Sequence, residues 1–210
     1  MFYSDNIFND LQIDALREIG NIGAGNAATA FAKLLNKKIK MDVPEVNILP
    51  FNEIINEIGG ADVVVAGVYL RVTGQMRGNI LFLLSQMEAF KLIDILLGKP
   101  YGFTQRLDSM GESILLEIGN ILSGAYLSSL ADFTGLTINS SVPALAMDMA
   151  GAVLSIPLAQ LGYMGDTALL IETQLIEGEY SVKGHFFLIP DTNSFDPLFD
   201  ALGVKINGNS

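Results

Sequence analysis

Two glutamate–asparagine pairs are the residues in this sequence whose types and spacing are suited to chemistry. Glu18 and Asn21 lie in the segment REIGNIGAGNA, and Glu117 and Asn120 lie in the similar segment LEIGNILSGAY. An asparagine carboxamide donates and accepts hydrogen bonds, so it can hold a water molecule in one orientation. A glutamate three residues earlier on a helix lies close enough to bind a cation of the same partner. No histidine or cysteine accompanies either pair, so we expect the pairs to act on a group that is already reactive.

The two pairs belong to a longer pattern that occurs twice. Both copies read Asp or Ser, three residues, Glu, two residues, Asn, twenty-two residues, Pro, and a shift of 99 residues superimposes Asp14 on Ser113, Glu18 on Glu117, Asn21 on Asn120 and Pro44 on Pro143. Ordinary residue frequencies make such a repetition very rare by chance. The sequence therefore predicts a pseudo-two-fold duplication: one domain, 1–210, with repeats 9–98 and 108–203 and a linker at 99–107.

Each copy begins with a helical pattern that would carry its pair. The first helix is expected to begin at Asn9 or Asp10 and to end at Leu35, with Asn36 as its C-terminal cap. The second is expected to begin at Asp108 or Ser109 and to end just before Gly135. On a helical wheel Asp14, Glu18 and Asn21 fall within about 60° of one another, opposite an apolar face that includes Leu16 and Ile19. We expect the polar residues to face solvent. A merely solvated helix face is the alternative, but it does not explain why both halves keep the same pair.

Runs rich in valine, isoleucine and leucine follow the helices and predict about three strands per half. The clearest runs are 37–50, 62–72 and 78–85, and a hairpin of 167–176 with 180–189 that turns near Gly178. Short helices are expected between Ser85 and Gly98 and from Ala144 to Leu154. The predicted class is α+β, with two long helices packed on one face of a mostly antiparallel sheet of about six strands.

The glycines beside the first pair resemble a phosphate-binding loop. However, Gly20, Gly23 and Gly25 lie inside a helical pattern, and no Lys-Ser/Thr follows them. We expect Gly20, Gly23 and Gly119 to let the helices pack closely on the sheet instead.

Three further residues are expected to have structural roles. Pro44 and Pro143, which close the two copies of the pattern, are expected to fix the start of a strand. His185 is the only histidine and lies in an apolar strand run, so we expect it to pack rather than to catalyse.

The composition excludes several classes of function. Twelve basic against 23 acidic residues give a net charge of -11, which would repel nucleic acid and anionic lipid. Without cysteine and with one histidine, the chain cannot form a disulfide or a cysteine or multi-histidine metal site, so we expect no metal or cofactor of its own. The N-terminus lacks the pattern of a targeting segment, and we expect a cytoplasmic monomer that does not insert into membranes.

The repeated pattern resembles the signature of the CheC family of chemotaxis phosphatases, in both copies and over nearly the whole chain. The segments that carry the resemblance are ALREIGNIGAGNAATAFAKLLNKKIKMDVPEV and SILLEIGNILSGAYLSSLADFTGL with the later SVP. The resemblance implies dephosphorylation of the phosphorylated response regulator CheY. It implies that Glu18 and Glu117 each bind a CheY lysine, and that Asn21 and Asn120 each enter the CheY active site and orient the attacking water.

The resemblance also implies partner contacts outside the two pairs. Asp14 and Ser113 occupy the first position of the signature and are expected at the partner-binding surface, and the Mg²⁺ of the reaction is expected to come from CheY. A second partner, the receptor deamidase CheD, is expected to bind the short helix Ala144 to Leu154, in which Asp148 is the only charged residue.

Two alternatives come from other functional classes. The chain is also similar to the middle domains of flagellar switch proteins, which would make it a non-catalytic interaction module. It could instead be a pure regulator of CheD. Intact Glu–Asn pairs in both halves favour the phosphatase, and release of phosphate from phosphorylated CheY distinguishes the three.

Overall fold

The computed structural model describes residues 10–35, 38–43, 46–161, 167–191 and 194–201. The elements in these ranges are α1 (Asp10–Leu35), β1 (Lys40–Asp42), β2 (Val46–Pro50), α2 (Phe51–Glu57), β3 (Val64–Gly74), β4 (Gly78–Ser85), α3 (Gln86–Leu97), α4 (Ser109–Thr134), β5 (Ile138–Ser140), β6 (Ala144–Met149), α5 (Ala150–Leu161), β7 (Thr167–Glu177), β8 (Tyr180–Pro190) and α6 (Phe195–Ala201). The two halves of the chain have the same order of elements: a long helix, two short strands, a helix, a hairpin and a final helix. The α+β class expected from the sequence is confirmed.

The strands form one sheet in which every described pairing is antiparallel. Its order is β1-β7-β8-β4-β3-β5, with β2 also paired to β7 and β6 also paired to β3. The hairpins β3–β4 and β7–β8 make the centre of the sheet and meet where β4 pairs with β8. Strands β1 and β2 of the first half pair with β7 of the second half, and β5 and β6 of the second half pair with β3 of the first. The halves therefore exchange strands.

The described residues form eight strands rather than the expected six or so. The run at 37–50 divides into β1 and β2, β5 was not anticipated, and Ala144–Met149 is strand β6 instead of the start of a helix. Strand β6 pairs with β3 from Val64 opposite Met149 to Tyr69 opposite Ala144. Leu145 and Met147 pack toward one face of the sheet and Ala146 toward the other, so the segment has the alternation of a strand.

Helices cover both faces of the sheet. Along β3, Val68 and Leu70 pack in a large core with α1, α3 and α4, whereas Val65 packs in a second core with α2 and α5. Successive side chains of a strand point to opposite faces, so the two cores lie on opposite sides of the sheet. The two long helices, α1 and α4, share one core on one face as expected, whereas the cover that α2 and α5 provide on the opposite face was not expected.

Capping residues set the ends of α3 and α4. Asp108 Oδ1 accepts a hydrogen bond from Gly111 N at 2.8 Å, and Gly135 ends α4 with a left-handed φ of 71°. Ser85 Oγ accepts from Glu88 N at 3.3 Å, and Gly98 ends α3 with a φ of 65°. These ends are as the sequence predicts. The expected caps Asn9 and Asn36, and the proline at position 44, lie outside the described residues.

The segment that joins the halves is held by one buried carboxylate. Asp94, only 1% exposed, accepts hydrogen bonds from the backbone N–H groups of Gly102, Phe103 and Thr104 at 2.9, 3.1 and 2.9 Å, and from Thr104 Oγ1 at 2.6 Å. Multiple donors to one carboxylate hold a loop in a single conformation. The joining segment is therefore anchored to α3.

Helix α4 is long and apolar enough to cross a membrane, judged by length and composition alone. Half of its most apolar stretch is buried inside the fold, where Leu115, Ile118 and Leu122 pack in the large core. Its apolar character is therefore that of a core helix.

Candidate active site

Helix α1 presents the first Glu–Asn pair on its solvent face. Glu18 and Asn21 are exposed, whereas Leu16 and Ile19 are buried on the other side of the same helix. The helical period of 3.6 residues puts positions 14, 18 and 21 on one face. Burial of the apolar face fixes the rotation of α1, which in turn aims the pair outward.

Helix α4 presents the second pair in the same way. Glu117 and Asn120 are exposed, and Leu115 and Ile118 are buried in the large core. Val68 of β3 lies so close beneath α4 that a Cβ on Gly119 would come within 2.4 Å of its Cγ1. Gly119 thus allows the close helix–sheet packing that the sequence predicts.

The two helices that carry the pairs pack directly against each other. A Cβ on Gly23 would lie 2.6 Å from Cδ1 of Tyr126, and Asn26 Nδ2 donates to Ser129 Oγ at 3.1 Å. Gly23 therefore permits a helix–helix contact rather than the helix–sheet contact that was expected. Both pairs lie on one rigid helical layer, and such support holds functional side chains in position.

The four side chains of the pairs form no hydrogen bond or ion pair with any other residue that the structure describes. The residues at the first position of the signature, Asp14 and Ser113, differ because each has a partner within its own helix. Asp14 Oδ1 lies 3.1 Å from Arg17 Nη1 in an exposed ion pair, and Ser113 Oγ donates to the carbonyl of Ser109 at 2.9 Å. The carboxylates and carboxamides of the pairs are thus free to bind another molecule.

Asp148 does not lie on a helix. Asp148 lies on strand β6, and its Oδ1 accepts a hydrogen bond from the N–H of Met149 at 2.7 Å. The expectation that it belongs to a helix beginning at Ala144 is wrong, because pairing with β3 overrides the local helical preference of this segment. Asp148 and Met149 are exposed just before α5 begins.

His185 lies on the other side of the sheet from the pairs. It is directly opposite Leu83, which belongs to the core under α2 and α5, and its ring stacks on Phe187 with 6.3 Å between centroids. Burial lowers the pKa of His185, and Lys183 lowers it further, against an opposing effect of Glu172. The imidazole packs on the sheet and does not face α1 or α4.

The described residues include no group of three or more histidine, cysteine, aspartate or glutamate side chains that could hold a metal ion. The side chains of the two pairs on α1 and α4 are carboxylates and carboxamides. Such groups can position a cation and a water molecule.

Two glycines without a role predicted from the sequence lie on the same exposed faces. Gly25 follows Asn21 by one turn, and Gly124 follows Asn120 by one turn. Both are exposed in the middle of a long helix. The signal for them was in the sequence, because the shift of 99 residues superimposes them.

The comparisons with known proteins match the segments that carry the pairs. A model of the CheC-like family matches residues 11–48 and 110–147. The chain is 43% identical over 207 residues to a Bacillus subtilis (strain 168) protein named CheY-P phosphatase CheC, covering 95% of this chain and 99% of that protein. The fold is similar to that of Thermotoga maritima FliY, with a TM-score of 0.75 and 21% identity over 93% of this chain and 98% of the other. It is also similar to the FliM middle domain from H. pylori, with a TM-score of 0.68 and 11% identity over 92% and 99% of the two chains. The chain belongs to the CheC-like family.

Proposed function

We propose that this protein is a phosphatase that hydrolyses the aspartyl phosphate of the chemotaxis response regulator CheY. The observation that carries the proposal is the pair of exposed Glu–Asn sites on α1 and α4, whose side chains have no partner among the described residues. Support comes from the 43% identity, over nearly the full length of both chains, to a protein named CheY-P phosphatase CheC.

Asn21 and Asn120 are the groups that we assign to the reaction itself. Each carboxamide reaches into the CheY active site, where its oxygen accepts a hydrogen bond from a water and its nitrogen donates to a phosphoryl oxygen. The water is thereby held in line with the bond to be broken. Holding the nucleophile in a reactive geometry removes an entropic part of the barrier without requiring a strong base.

Glu18 and Glu117 are assigned to anchoring. Each lies three residues before its asparagine, so the two side chains are neighbours on the helix surface. A carboxylate at that position forms an ion pair with a lysine of CheY and fixes the register in which the asparagine enters.

The bond changes require little from this chain. The water oxygen bonds to phosphorus, the phosphorus–oxygen bond to the aspartate breaks, and the carboxylate leaves with the electron pair. Both protons of the water stay on the phosphate product, which then releases one to solvent. A carboxylate is a good leaving group and needs no proton from the enzyme. We propose that CheY binds the Mg²⁺ that would neutralise the phosphoryl oxygens. Bound metal ions have this role in other phosphoryl-transfer sites.

The first prediction tests the asparagines. Asn21→Ala and Asn120→Ala should each lower phosphate release from phosphorylated CheY, and the double variant should lose nearly all of it. Both side chains are exposed, so the free energy of unfolding should change by under about 0.5 kcal/mol. Phosphate release and thermal unfolding should be measured on the same preparations.

Asn56→Ala provides the matched control. Asn56 is exposed on α2, which covers the opposite face of the sheet, so this variant should keep wild-type activity. A folded double variant at α1 and α4 with wild-type activity would remove the catalytic assignment. Absence of phosphate release from the wild type would instead favour a non-catalytic module, the function that a flagellar switch-type domain would have.

We also propose that CheD binds the surface around Asp148. The supporting observation is that Asp148 is exposed on β6 next to the start of α5, on the face of the sheet that α2 and α5 cover. An exposed carboxylate can form an ion pair with a basic group of a protein partner. This surface is separate from the faces of α1 and α4 that carry the pairs.

A further inference from the structure

Gly25 and Gly124 differ from the other glycines of the two long helices. A Cβ on Gly23 or Gly119 would collide with Tyr126 or Val68, at 2.6 and 2.4 Å. A Cβ on Gly25 or Gly124 would meet nothing within 4 Å. Packing inside this chain therefore explains Gly23 and Gly119 but not the two exposed glycines.

The backbone does not explain them either. Neither Gly25 nor Gly124 has a positive φ, and both lie inside uninterrupted helix. After proline, glycine is the residue that least favours a helix interior, so alanine would suit the fold better at both positions. Yet both copies place glycine four residues after the asparagine and seven after the glutamate.

The position of these glycines relative to the asparagines suggests their use. In a helix each Cα–Cβ bond tilts toward the N-terminus, so a side chain at position i+4 stands over residue i. A Cβ at position 25 would point toward Asn21, and one at position 124 toward Asn120. Its absence leaves bare helix backbone beside each carboxamide.

We infer that Gly25 and Gly124 are positioning residues that admit the phosphorylated partner to the helix backbone. The loop of the response regulator that presents the aspartyl phosphate lies in van der Waals contact with the helix at each glycine. This close approach brings the phosphate within reach of Asn21 or Asn120. Glycine is the residue that permits another backbone to come so near. The inference rests on the proposed phosphatase function.

The experiment isolates one site at a time. In an Asn120→Ala background, the measured phosphate release comes from the α1 site alone. In this background Gly25→Ala is compared with Gly20→Ala. Gly20 is buried in the same helix, and a Cβ on it would meet Val43 at an ordinary 3.7 Å. Both substitutions should raise the Tm by about 2–4 °C, because both replace helical glycine by alanine.

Only Gly25→Ala should impair the reaction. We expect it to lower kcat/KM by about 10-fold or more, with a loss in kcat as well as in KM, because a displacement of about 1 Å at a reacting centre is costly. Gly20→Ala should keep kcat/KM within about two-fold. Gly25→Leu should lose more activity than Gly25→Ala without a fall in Tm, since leucine is also a good helix former. Gly124→Ala in an Asn21→Ala background should repeat the result for α4.

The possible results distinguish the role of the glycines from the phosphatase function. Equal kcat/KM in the Gly25→Ala and Gly20→Ala variants would overturn the role of glycine while leaving the phosphatase assignment intact. A lower Tm in Gly25→Ala would show that the glycine serves the fold, which also overturns the inference. Unchanged activity when Asn21→Ala is added to Asn120→Ala would overturn the catalytic assignment of the asparagines, and the inference with it. Absence of phosphate release from the wild type would overturn the phosphatase proposal itself.

Discussion

The two Glu–Asn pairs have identical spacing but different charge surroundings. Arg17 precedes Glu18 and pairs with Asp14, whereas the equivalent residues of α4, Leu116 and Ser113, are uncharged. No basic side chain therefore lies within this stretch of the α4 signature. At the first site the charges of Arg17 and Asp14 offset each other, so the net charge of these signature positions is that of the glutamate at both sites, and removal of Arg17 would leave a second negative charge at the first site.

Replacing Arg17 should strengthen the first site. In an Asn120→Ala background, Arg17→Leu should lower the KM for phosphorylated CheY by about two- to five-fold at low salt, the range expected for one exposed charge interaction. The difference should vanish at high ionic strength because exposed charges are screened. The matched control is Leu116→Arg in an Asn21→Ala background, which should raise KM at the second site. A KM for Arg17→Leu that is unchanged at low salt would contradict the anchoring role of Glu18.

The exposure of the site residues follows from the sequence because it depends on helical period alone. Asp14, Glu18 and Asn21 share a face whatever the rest of the fold is, provided that Leu16 and Ile19 are buried. The contact of Gly23 with Tyr126 could not be predicted in this way. It depends on which helix packs beside α1, and no local pattern encodes that choice.

Strand β6 shows that local helical preference can predict the wrong secondary structure. Alanine, leucine and methionine favour a helix, so the sequence of Ala144–Met149 predicts a helix. The segment is a strand because β3 offers it hydrogen bonds from Val64 to Tyr69, much earlier in the chain. By contrast, the ends of α3 and α4 were predicted well, since caps such as Ser85 and Asp108 bond to residues three positions away.

The new location of Asp148 gives a prediction for CheD binding. Asp148→Lys should weaken binding to CheD in a calorimetric titration by reversing the exposed charge beside α5. Phosphate release should stay near the wild-type rate, because β6 does not carry the pairs. Asp132→Lys, an exposed charge reversal on α4, controls for net charge. Equal CheD affinity in the wild type and Asp148→Lys would exclude this surface.

The anchored joining segment predicts a stability effect at Asp94. Asp94→Asn replaces a carboxylate oxygen by an amide donor that faces backbone N–H groups, so about 2 kcal/mol or more of unfolding free energy should be lost. Urea unfolding of the wild type and of Asp94→Asn measures this difference in unfolding free energy. Asp132→Asn should change the unfolding free energy by no more than about 0.5 kcal/mol, because Asp132 is exposed. A similar small change in Asp94→Asn would mean that the segment does not depend on this carboxylate.

The two halves of the protein are joined by their shared sheet as much as by the segment that connects them. Strands β1 and β2 depend on β7, and β5 and β6 depend on β3. The repeat in the sequence predicts that the halves resemble each other. It does not predict that they exchange strands, because the repeated pattern is the same whether each half pairs with itself or with its neighbour.

Cutting the joining segment should therefore leave the molecule assembled. A protease site inserted between Gln105 and Arg106, both exposed, should allow cleavage without separation of the halves. The cut protein should elute as the intact one in size-exclusion chromatography and unfold in a single transition. An uncleaved sample with the same insertion is the control. Elution of two smaller species under native conditions would show that each half holds its own strands.

The exchanged strands also constrain how the protein is made on the ribosome. Lys40 of β1 pairs with Ile176 of β7, so β1 cannot pair until β7, near the end of the chain, has been synthesised. At about 5–20 residues per second, the wait is on the order of ten seconds. During that time the apolar face of α1 and the unpaired edge of the nascent first half are exposed to other chains. The nascent chain should therefore be most prone to aggregation, and most in need of chaperones, before β7 emerges.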